Sequence, residues 1–142
     1  MFDVPVAAIP GRLTFGPRPR SPAEVADVDL LINLLTDAEM QELSLDWLAS
    51  RRLPISDREC PPNRALLDRI LAEAEACLRG GGRVHIHCRA GIGRAGLVTA
   101  CLVSRLDGGS HLWERLSRAR GVDCPDTEEQ RAWVEDYRLS RG

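Results

Sequence analysis

The chain has 142 residues, of which 44% are hydrophobic and 28% are charged, so it is long enough to fold as one domain around a buried core. Its net charge of −2 provides no overall basic field, which argues against nucleic acid as an obligate partner. No apolar stretch approaches the length of a membrane span, and Asp3, Pro5 and Pro10 interrupt the N-terminus where a secretory signal would lie. We therefore expect a single domain over residues 1–142, without a membrane partner and located in the cytoplasm.

The sequence of the first half of the chain predicts a strand, a helix and a second strand, in that order. Residues 28–35 form a short apolar run that is typical of a buried strand. Thr36 and Glu39 have the spacing of a capping box, which predicts a helix from there to about Ser50. Residues 51–55 then predict a short strand that leads into a polar loop.

The second half alternates in the same way. A helix is expected to begin at Pro61-Pro62 and to end at the glycines of residues 80–82, and a strand follows at 83–87. Helices are predicted over residues 96–106, 112–120 and 127–139. This alternation predicts an α/β sandwich whose central sheet is mixed, largely parallel and flanked by helices. Ligands bind beyond the carboxyl ends of such strands, which is where Cys88 lies.

The segment from His87 to Gly96 carries the chemistry. Cys88 and Arg94 enclose five residues between an apolar strand and an apolar helix. Gly91 and Gly93 let the backbone curl inward, so that its N–H groups and the helix dipole converge on one point. The planar fork of Arg94 matches two phosphate oxygens. The pattern predicts a loop that holds a phosphate dianion beside a nucleophilic sulfur.

This segment resembles the signature loop of the cysteine-dependent protein tyrosine phosphatases, and the short chain resembles their compact dual-specificity branch. The resemblance implies that Cys88 attacks phosphorus and forms a phosphocysteine, without a metal or another cofactor. It also implies that the phosphate is held by the Arg94 guanidinium and by the main-chain amides of Arg89, Ala90, Gly91, Ile92, Gly93 and Arg94. The implied substrate is a phosphorylated protein or another phosphomonoester, such as an RNA 5′ phosphate, a phosphoinositide or a sugar phosphate.

Residues 53–62 resemble the family's acid loop, and this resemblance makes Asp57 the candidate general acid. It implies that Asp57 protonates the leaving oxygen and then activates the water that releases phosphate. Glu59 is the alternative acid, and Asp57 could also be an ordinary turn residue. Residues 126–130 resemble the family's late segment, whose glutamine, here Gln130, helps to place the hydrolytic water. Thr127 and Gln130 equally fit a capping box.

The histidines and cysteines near the loop have weaker signals. The resemblance assigns His87 a supporting role, in which hydrogen bonds order the loop around Cys88. A zinc site of His85, His87 and Cys88 is disfavoured, because strand alternation turns Cys88 away from both histidines. The five cysteines form no disulfide framework, so we expect free thiols. Cys60, near the acid loop, could pair with an oxidised Cys88 or be an ordinary loop thiol.

One position departs from the family pattern. Most members carry serine or threonine directly after the loop arginine, where this chain has Ala95. That hydroxyl stabilises the departing thiolate, so its absence predicts slow breakdown of the phosphocysteine. Ala95 therefore also favours an alternative hypothesis, a phosphate-binding pseudophosphatase with little turnover. A sulfur-transferring or arsenate-reducing enzyme is a third hypothesis. The Gly-x-Gly-Arg continuation and the upstream aspartate fit phosphoryl transfer better.

Overall fold

The computed structural model describes residues 1–141, which form a five-stranded sheet in the order β1-β2-β5-β3-β4. The strands are β1 (Phe2–Asp3), β2 (Arg12–Gly16), β3 (Leu30–Asn33), β4 (Arg51–Arg52) and β5 (Arg83–His87). The helices are α1 (Asp37–Glu42), α2 (Arg64–Arg79), α3 (Gly93–Asp107), α4 (Leu112–Arg120) and α5 (Glu128–Arg141), with a 3-10 turn at Pro22–Val25. Only β1 runs antiparallel to its neighbour, which confirms the mixed, largely parallel sheet.

The two faces of the sheet are covered unequally. Helices α2 to α5 bury their apolar sides on one face and form the main core with the inward side chains of β2, β3 and β5. The opposite face carries a small cluster of Leu31, Leu35, Leu45 and Leu48, to which α1 and the segment after it contribute. β5 is the middle strand, and its last residue pairs with Gly16 on one side and Asn33 on the other. Cys88, the residue after β5, therefore follows a strand that lies between β2 and β3 in the sheet.

The predicted end of α1 and the predicted start of α2 are wrong. Helix α1 ends at Glu42 and not near Ser50, because the chain turns at Ser44 with a φ of 54°. This turn brings Leu45 and Leu48 back under β3. Helix α2 begins at Arg64, two residues beyond Pro61-Pro62, because the side chain of Asn63 caps it by accepting the Leu66 N–H at 3.0 Å.

The edges of the sheet also differ from the prediction. Strands β1 and β2 were not predicted, and β4 ends at Arg52 and not at residue 55. All five cysteines are free thiols. Within residues 1–141, none of the helices combines the length and the apolar character needed to cross a bilayer.

Candidate active site

Cys88 lies at the carboxyl end of β5, as predicted, and only 2% of its surface is exposed. Two main-chain N–H groups point at its sulfur, those of Gly91 at 3.3 Å and Ala95 at 3.4 Å. Such donors stabilise a thiolate more than a thiol, because they favour the charged acceptor. The sulfur thus accepts two main-chain N–H groups although Cys88 also belongs to the buried core.

The loop after Cys88 passes directly into α3, which begins at Gly93, three residues earlier than predicted. The first turn of a helix leaves its N–H groups without internal partners, so they are available to an anion held above the sulfur. Gly91 has a φ of 75°, and a Cβ there would overlap the backbone of Gly16 and Pro17. Glycine is therefore needed at position 91 both for the backbone conformation and for packing.

Arg120, at the end of α4, holds the outer side of the loop. Its Nε donates to the Gly91 carbonyl at 3.0 Å, and its Nη2 donates to the Ala90 carbonyl at 3.2 Å. The guanidinium also stacks over the Phe2 ring, 4.5 Å from the ring centroid. Because these carbonyls point outward to Arg120, the neighbouring amides are free to face the sulfur. The sequence analysis did not identify Arg120.

Arg94 closes the loop and is 2% exposed. Its Nη1 and Nη2 donate to the two carboxylate oxygens of Glu39, at 2.6 and 3.0 Å, and Nη1 also donates to the Ile55 carbonyl at 2.8 Å. The hydrogen bond from Arg94 is the main cause that lowers the pKa of Glu39 below its usual value. Within residues 1–141, the Arg94 Nε donates to no acceptor, which leaves it free for a phosphate oxygen.

Asp57 lies at a turn beside this guanidinium. The Glu59 N–H donates to the Ser56 carbonyl at 3.0 Å, and Arg58 within the turn has a φ of 64°. The turn presents an Asp57 side chain that is 73% exposed, with its Oδ1 3.6 Å from Arg94 Nη2. The candidate acid therefore lies at the mouth of the loop that holds Cys88.

Gln130 is buried and its amide is engaged at both ends. The side-chain Oε1 of Gln130 accepts the main-chain N–H of Thr127 at 3.2 Å. The main-chain N–H of Gln130 donates to Thr127 Oγ1 at 3.1 Å, so the capping box is formed. Its Nε2 donates to the Glu59 carbonyl at 3.2 Å, which ties the acid loop to α5. A direct role of Gln130 in placing water stays a prediction.

His85 and His87 stack with their rings 6.3 Å apart. Burial is the main cause that lowers the pKa of His85 to about 3 and of His87 to about 4, so both rings are neutral near pH 7. The Nδ1 of His87 lies 3.4 Å from the Cys88 carbonyl, while its Nε2 has no partner within residues 1–141. A role of His87 in ordering the loop stays a prediction. In the same part of the chain, no cluster of three metal-ligating side chains is found.

Cys124, and not Cys60, is the second thiol that touches the loop. Its Sγ lies 3.0 Å from the Ile92 carbonyl and fills the space where a side chain at Gly96 would be. Burial, aided by the charge of Cys88, raises the pKa of Cys124 to about 12. Cys60 faces the Glu129 carbonyl at 3.9 Å, and burial is the main cause that raises its pKa. A disulfide between Cys60 and Cys88 stays a prediction.

The rim of the site carries further charges. Arg89 is exposed and pairs with Glu42 at 3.2 Å, and its carbonyl accepts the Arg18 N–H at 3.2 Å. On the other side of the loop, a Cβ on Gly93 would overlap Asp126 Oδ2 and lie 3.0 Å from Asp126 Cγ. The sequence analysis did not identify Asp126 as a residue of the site.

Comparison with known proteins agrees with this geometry. The family model Tc-R-P, described as polymorphic toxin system, DSP-PTPase phosphatase, matches residues 23–107. Solved structures of phosphatases match nearly the whole chain. The kinase associated phosphatase, in a form with serine in place of its catalytic cysteine, is 21% identical with a TM-score of 0.79, and the match covers 91% of this chain and 86% of that one.

Two other solved structures show the same likeness. The active form of Tk-PTP is 25% identical with a TM-score of 0.74, and the match covers 96% of each chain. Human DUSP28 is 20% identical with a TM-score of 0.65, and the match covers 90% of this chain and 92% of that one. The single-domain α/β fold predicted from the sequence is that of the dual-specificity phosphatases.

Proposed function

Because the chain belongs to the polymorphic toxin system DSP-PTPase phosphatase family, and is thus a cysteine-dependent phosphatase of the compact dual-specificity type, we propose that Cys88 is its nucleophile. One observation carries this assignment. The Cys88 sulfur accepts two main-chain N–H groups at the base of a loop that Arg94 closes. The alternative of a phosphate-binding module without turnover is not favoured by these relatives.

The first step of the proposed reaction transfers the phosphoryl group to sulfur. The Cys88 thiolate attacks phosphorus, an S–P bond forms, and the bond from phosphorus to the ester oxygen breaks. The amides of residues 89–94 and the Arg94 guanidinium hold the equatorial oxygens as charge redistributes. Asp57 gives its proton to the departing oxygen, and its exposed position at the mouth of the loop supports this assignment.

The second step releases phosphate. Water attacks phosphorus in line with the S–P bond, the sulfur leaves as a thiolate, and the Asp57 carboxylate takes the proton of the water. The N–H groups of Gly91 and Ala95 stabilise the departing thiolate, but the Ala95 side chain adds no hydroxyl donor to them. We infer that this step limits turnover.

We further propose that the substrate is a phosphoprotein and that both aryl and alkyl phosphate esters are accepted. The support is the exposure of Asp57, because an acid on the open rim can reach the leaving oxygen of a short side chain as well as that of tyrosine. Equal catalytic efficiency on phosphotyrosine and phosphothreonine versions of one peptide, within about tenfold, would support this proposal. Activity on phosphotyrosine alone would contradict it.

The proposed chemistry is tested with an aryl phosphate in the presence of a chelator. Hydrolysis should proceed without added metal, be blocked by vanadate, and be lost in Cys88→Ser. Cys77→Ser, which changes a thiol on α2 away from the loop, should retain activity. A fully active Cys88→Ser protein would overturn the assignment. Thiosulfate-dependent sulfur transfer without phosphate release would favour a sulfurtransferase instead.

We propose a reducing compartment, the cytoplasm, as the place of action. The mechanism needs Cys88 as a thiolate, and an oxidised sulfur cannot attack phosphorus. Peroxide treatment should abolish activity and a thiol reductant should restore it. Full activity after oxidation of Cys88, checked by mass spectrometry, would contradict this requirement.

A further inference from the structure

The turn that carries Asp57 has little packing of its own. Residues 56–59 are all exposed, whereas Ile55 and Pro61 on either side of this part of the loop are buried. Apolar burial therefore contributes little to holding the turn in one place. The position of the Asp57 carboxylate depends instead on the hydrogen bonds that attach the turn to neighbouring elements.

The turn is attached at both of its ends. Before the turn, Arg94 Nη1 donates to the Ile55 carbonyl at 2.8 Å. After it, Gln130 Nε2 donates to the Glu59 carbonyl at 3.2 Å. Within residues 1–141, this is the one hydrogen bond that a side chain donates to residues 56–59. The turn is thus connected to the phosphate-binding arginine at one end and to α5 at the other.

The amide of Gln130 is held in one orientation. The side chain is fully buried, and its Oε1 accepts the Thr127 N–H at 3.2 Å. Only the oxygen of an amide can accept an N–H and only its nitrogen can donate to a carbonyl, so the two contacts fix which end faces the acid loop. A Cβ on Gly93 would come within 3.2 Å of the same Oε1. The Gln130 side chain therefore lies against the start of α3 as well as against the acid loop.

We propose that Gln130 is a positioning residue for the acid, because its hydrogen bond to Glu59 holds the turn so that Asp57 stays at the mouth of the phosphate-binding loop. This proposal rests on the proposed role of Asp57. In this role Gln130 acts only through the Asp57 carboxylate, which gives a proton to the departing ester oxygen and later takes one from water. The first of these proton transfers contributes most when the departing oxygen is strongly basic.

Two aryl phosphates, tested on the full chain, distinguish a misplaced acid from a damaged site. Phenolate is the more basic leaving group and needs the proton of Asp57, whereas para-nitrophenolate departs with less help. The value of kcat/KM reports the first half-reaction, so slow breakdown of the phosphocysteine does not mask the difference. In Gln130→Met, kcat/KM should fall about 30-fold for phenyl phosphate and at most about threefold for para-nitrophenyl phosphate.

Thr127→Val is the matched control. It removes one hydrogen bond of the α5 cap and leaves Gln130 Nε2 on the Glu59 carbonyl, so the ratio of the two kcat/KM values should equal that of the wild type. Gln130→Glu is a second test variant, because its carboxylate can accept the Thr127 N–H but has no N–H to donate to Glu59. Its ratio should change in the same direction as in Gln130→Met. Thermal denaturation of each variant will show that it is folded at the assay temperature.

Asp57→Asn separates a failure of this proposal from a failure of the proposed acid. It should change the ratio of the two kcat/KM values at least as much as Gln130→Met does. If both Gln130 variants lower the two kcat/KM values by the same factor while Asp57→Asn changes the ratio, Gln130 does not position the acid. If Asp57→Asn also leaves the ratio unchanged, the assignment of Asp57 is wrong, and the role of Gln130 is overturned with it.

Discussion

The Arg94 guanidinium is held by the Glu39 carboxylate through two parallel hydrogen bonds of 2.6 and 3.0 Å. Glu39 also accepts the Thr36 N–H at 3.1 Å, so the same carboxylate completes the capping box of α1. Helix α1 therefore connects a local folding signal to the orientation of the phosphate-binding arginine. Planar, bidentate pairs of this kind fix geometry as well as charge.

Glu39→Gln should separate these two roles. The amide oxygen of glutamine can still accept the Thr36 N–H of the capping box. The substitution removes the negative charge and one of the two oxygens that accept hydrogen bonds from Arg94. We expect kcat/KM for an aryl phosphate to fall about 10- to 100-fold and inhibition by vanadate to weaken, because a small misplacement of Arg94 is costly. Glu42→Gln is the matched control, since it breaks only the exposed pair with Arg89. Equal effects of the two variants on kcat/KM would contradict a positioning role for Glu39.

Arg120→Met should weaken binding of the phosphate group. The change removes two charge-assisted hydrogen bonds to the carbonyls of Ala90 and Gly91, each worth about 1.5–3 kcal/mol. With the carbonyls released, the amides that face the sulfur lose their fixed direction. Competitive inhibition by inorganic phosphate should weaken by about tenfold or more.

Arg118→Met is the control for Arg120, because Arg118 lies on the same helix but is exposed. Thermal denaturation of both variants will show whether they remain folded. If inorganic phosphate inhibits Arg120→Met as tightly as it inhibits Arg118→Met, the loop holds its shape without the hydrogen bonds from Arg120.

Ala95→Ser should raise steady-state turnover. Ala95 is fully buried and its N–H already donates to the Cys88 sulfur at 3.4 Å, so a hydroxyl at its Cβ would lie near the same atom. An added donor favours the thiolate as leaving group. Ala90→Ser makes the same change at an exposed position of the loop and should have no effect. A steady-state rate of Ala95→Ser at or below that of the wild type would count against slow phosphocysteine breakdown.

The parts of the site that could be predicted are those encoded in continuous sequence. Cys88 and Arg94 are separated by a fixed spacing with glycines between a strand and a helix, and this pattern alone predicts a phosphate-binding loop. Asp57 was identified as the candidate acid only through the resemblance of residues 53–62 to an acid loop, and its position 3.6 Å from Arg94 comes from the structure. Short-range signals therefore identified the groups at the centre of the site.

The supporting contacts could not be predicted, because tertiary packing brings their partners together. Glu39 and Arg94 are 55 positions apart, and the capping box already accounted for Glu39 without any further role. Arg120 is 29 positions beyond the carbonyl that it holds. Asp126 and Gln130 both lie against Gly93, and only the folded chain shows this contact.

The predicted element boundaries are wrong where tertiary packing overrides the local helix or strand propensity. The helix predicted to run to Ser50 ends before the turn at Ser44. This turn lets Leu45 and Leu48 pack with the buried leucines of the cluster beside β3. Strand β2 is only five residues long, and the alternation of Leu13, Thr14 and Phe15 is a short signal for a strand.

Protonation of His85 should make the protein less stable in acid. Its pKa is about 3 in the folded chain, chiefly because of burial, against about 6.5 when unfolded. Above pH 6.5 the ring is neutral in both states. As the pH falls from 6.5 towards 3, the unfolded chain takes up a proton that the folded chain refuses. The free energy of unfolding should then decrease by up to about 1.4 kcal/mol per pH unit for this group.

His85→Gln should therefore reduce the slope of unfolding free energy against pH between 4.5 and 6.5, as measured by urea denaturation. The variant also changes the 2.8 Å contact with Thr14, which shifts stability at every pH, so the slope and not the absolute value is the readout. His111→Gln is the control, because the His111 side chain is 76% exposed. Its slope should match that of the wild type. Identical slopes for His85→Gln and His111→Gln would show that His85 takes up its proton equally in the folded and unfolded states.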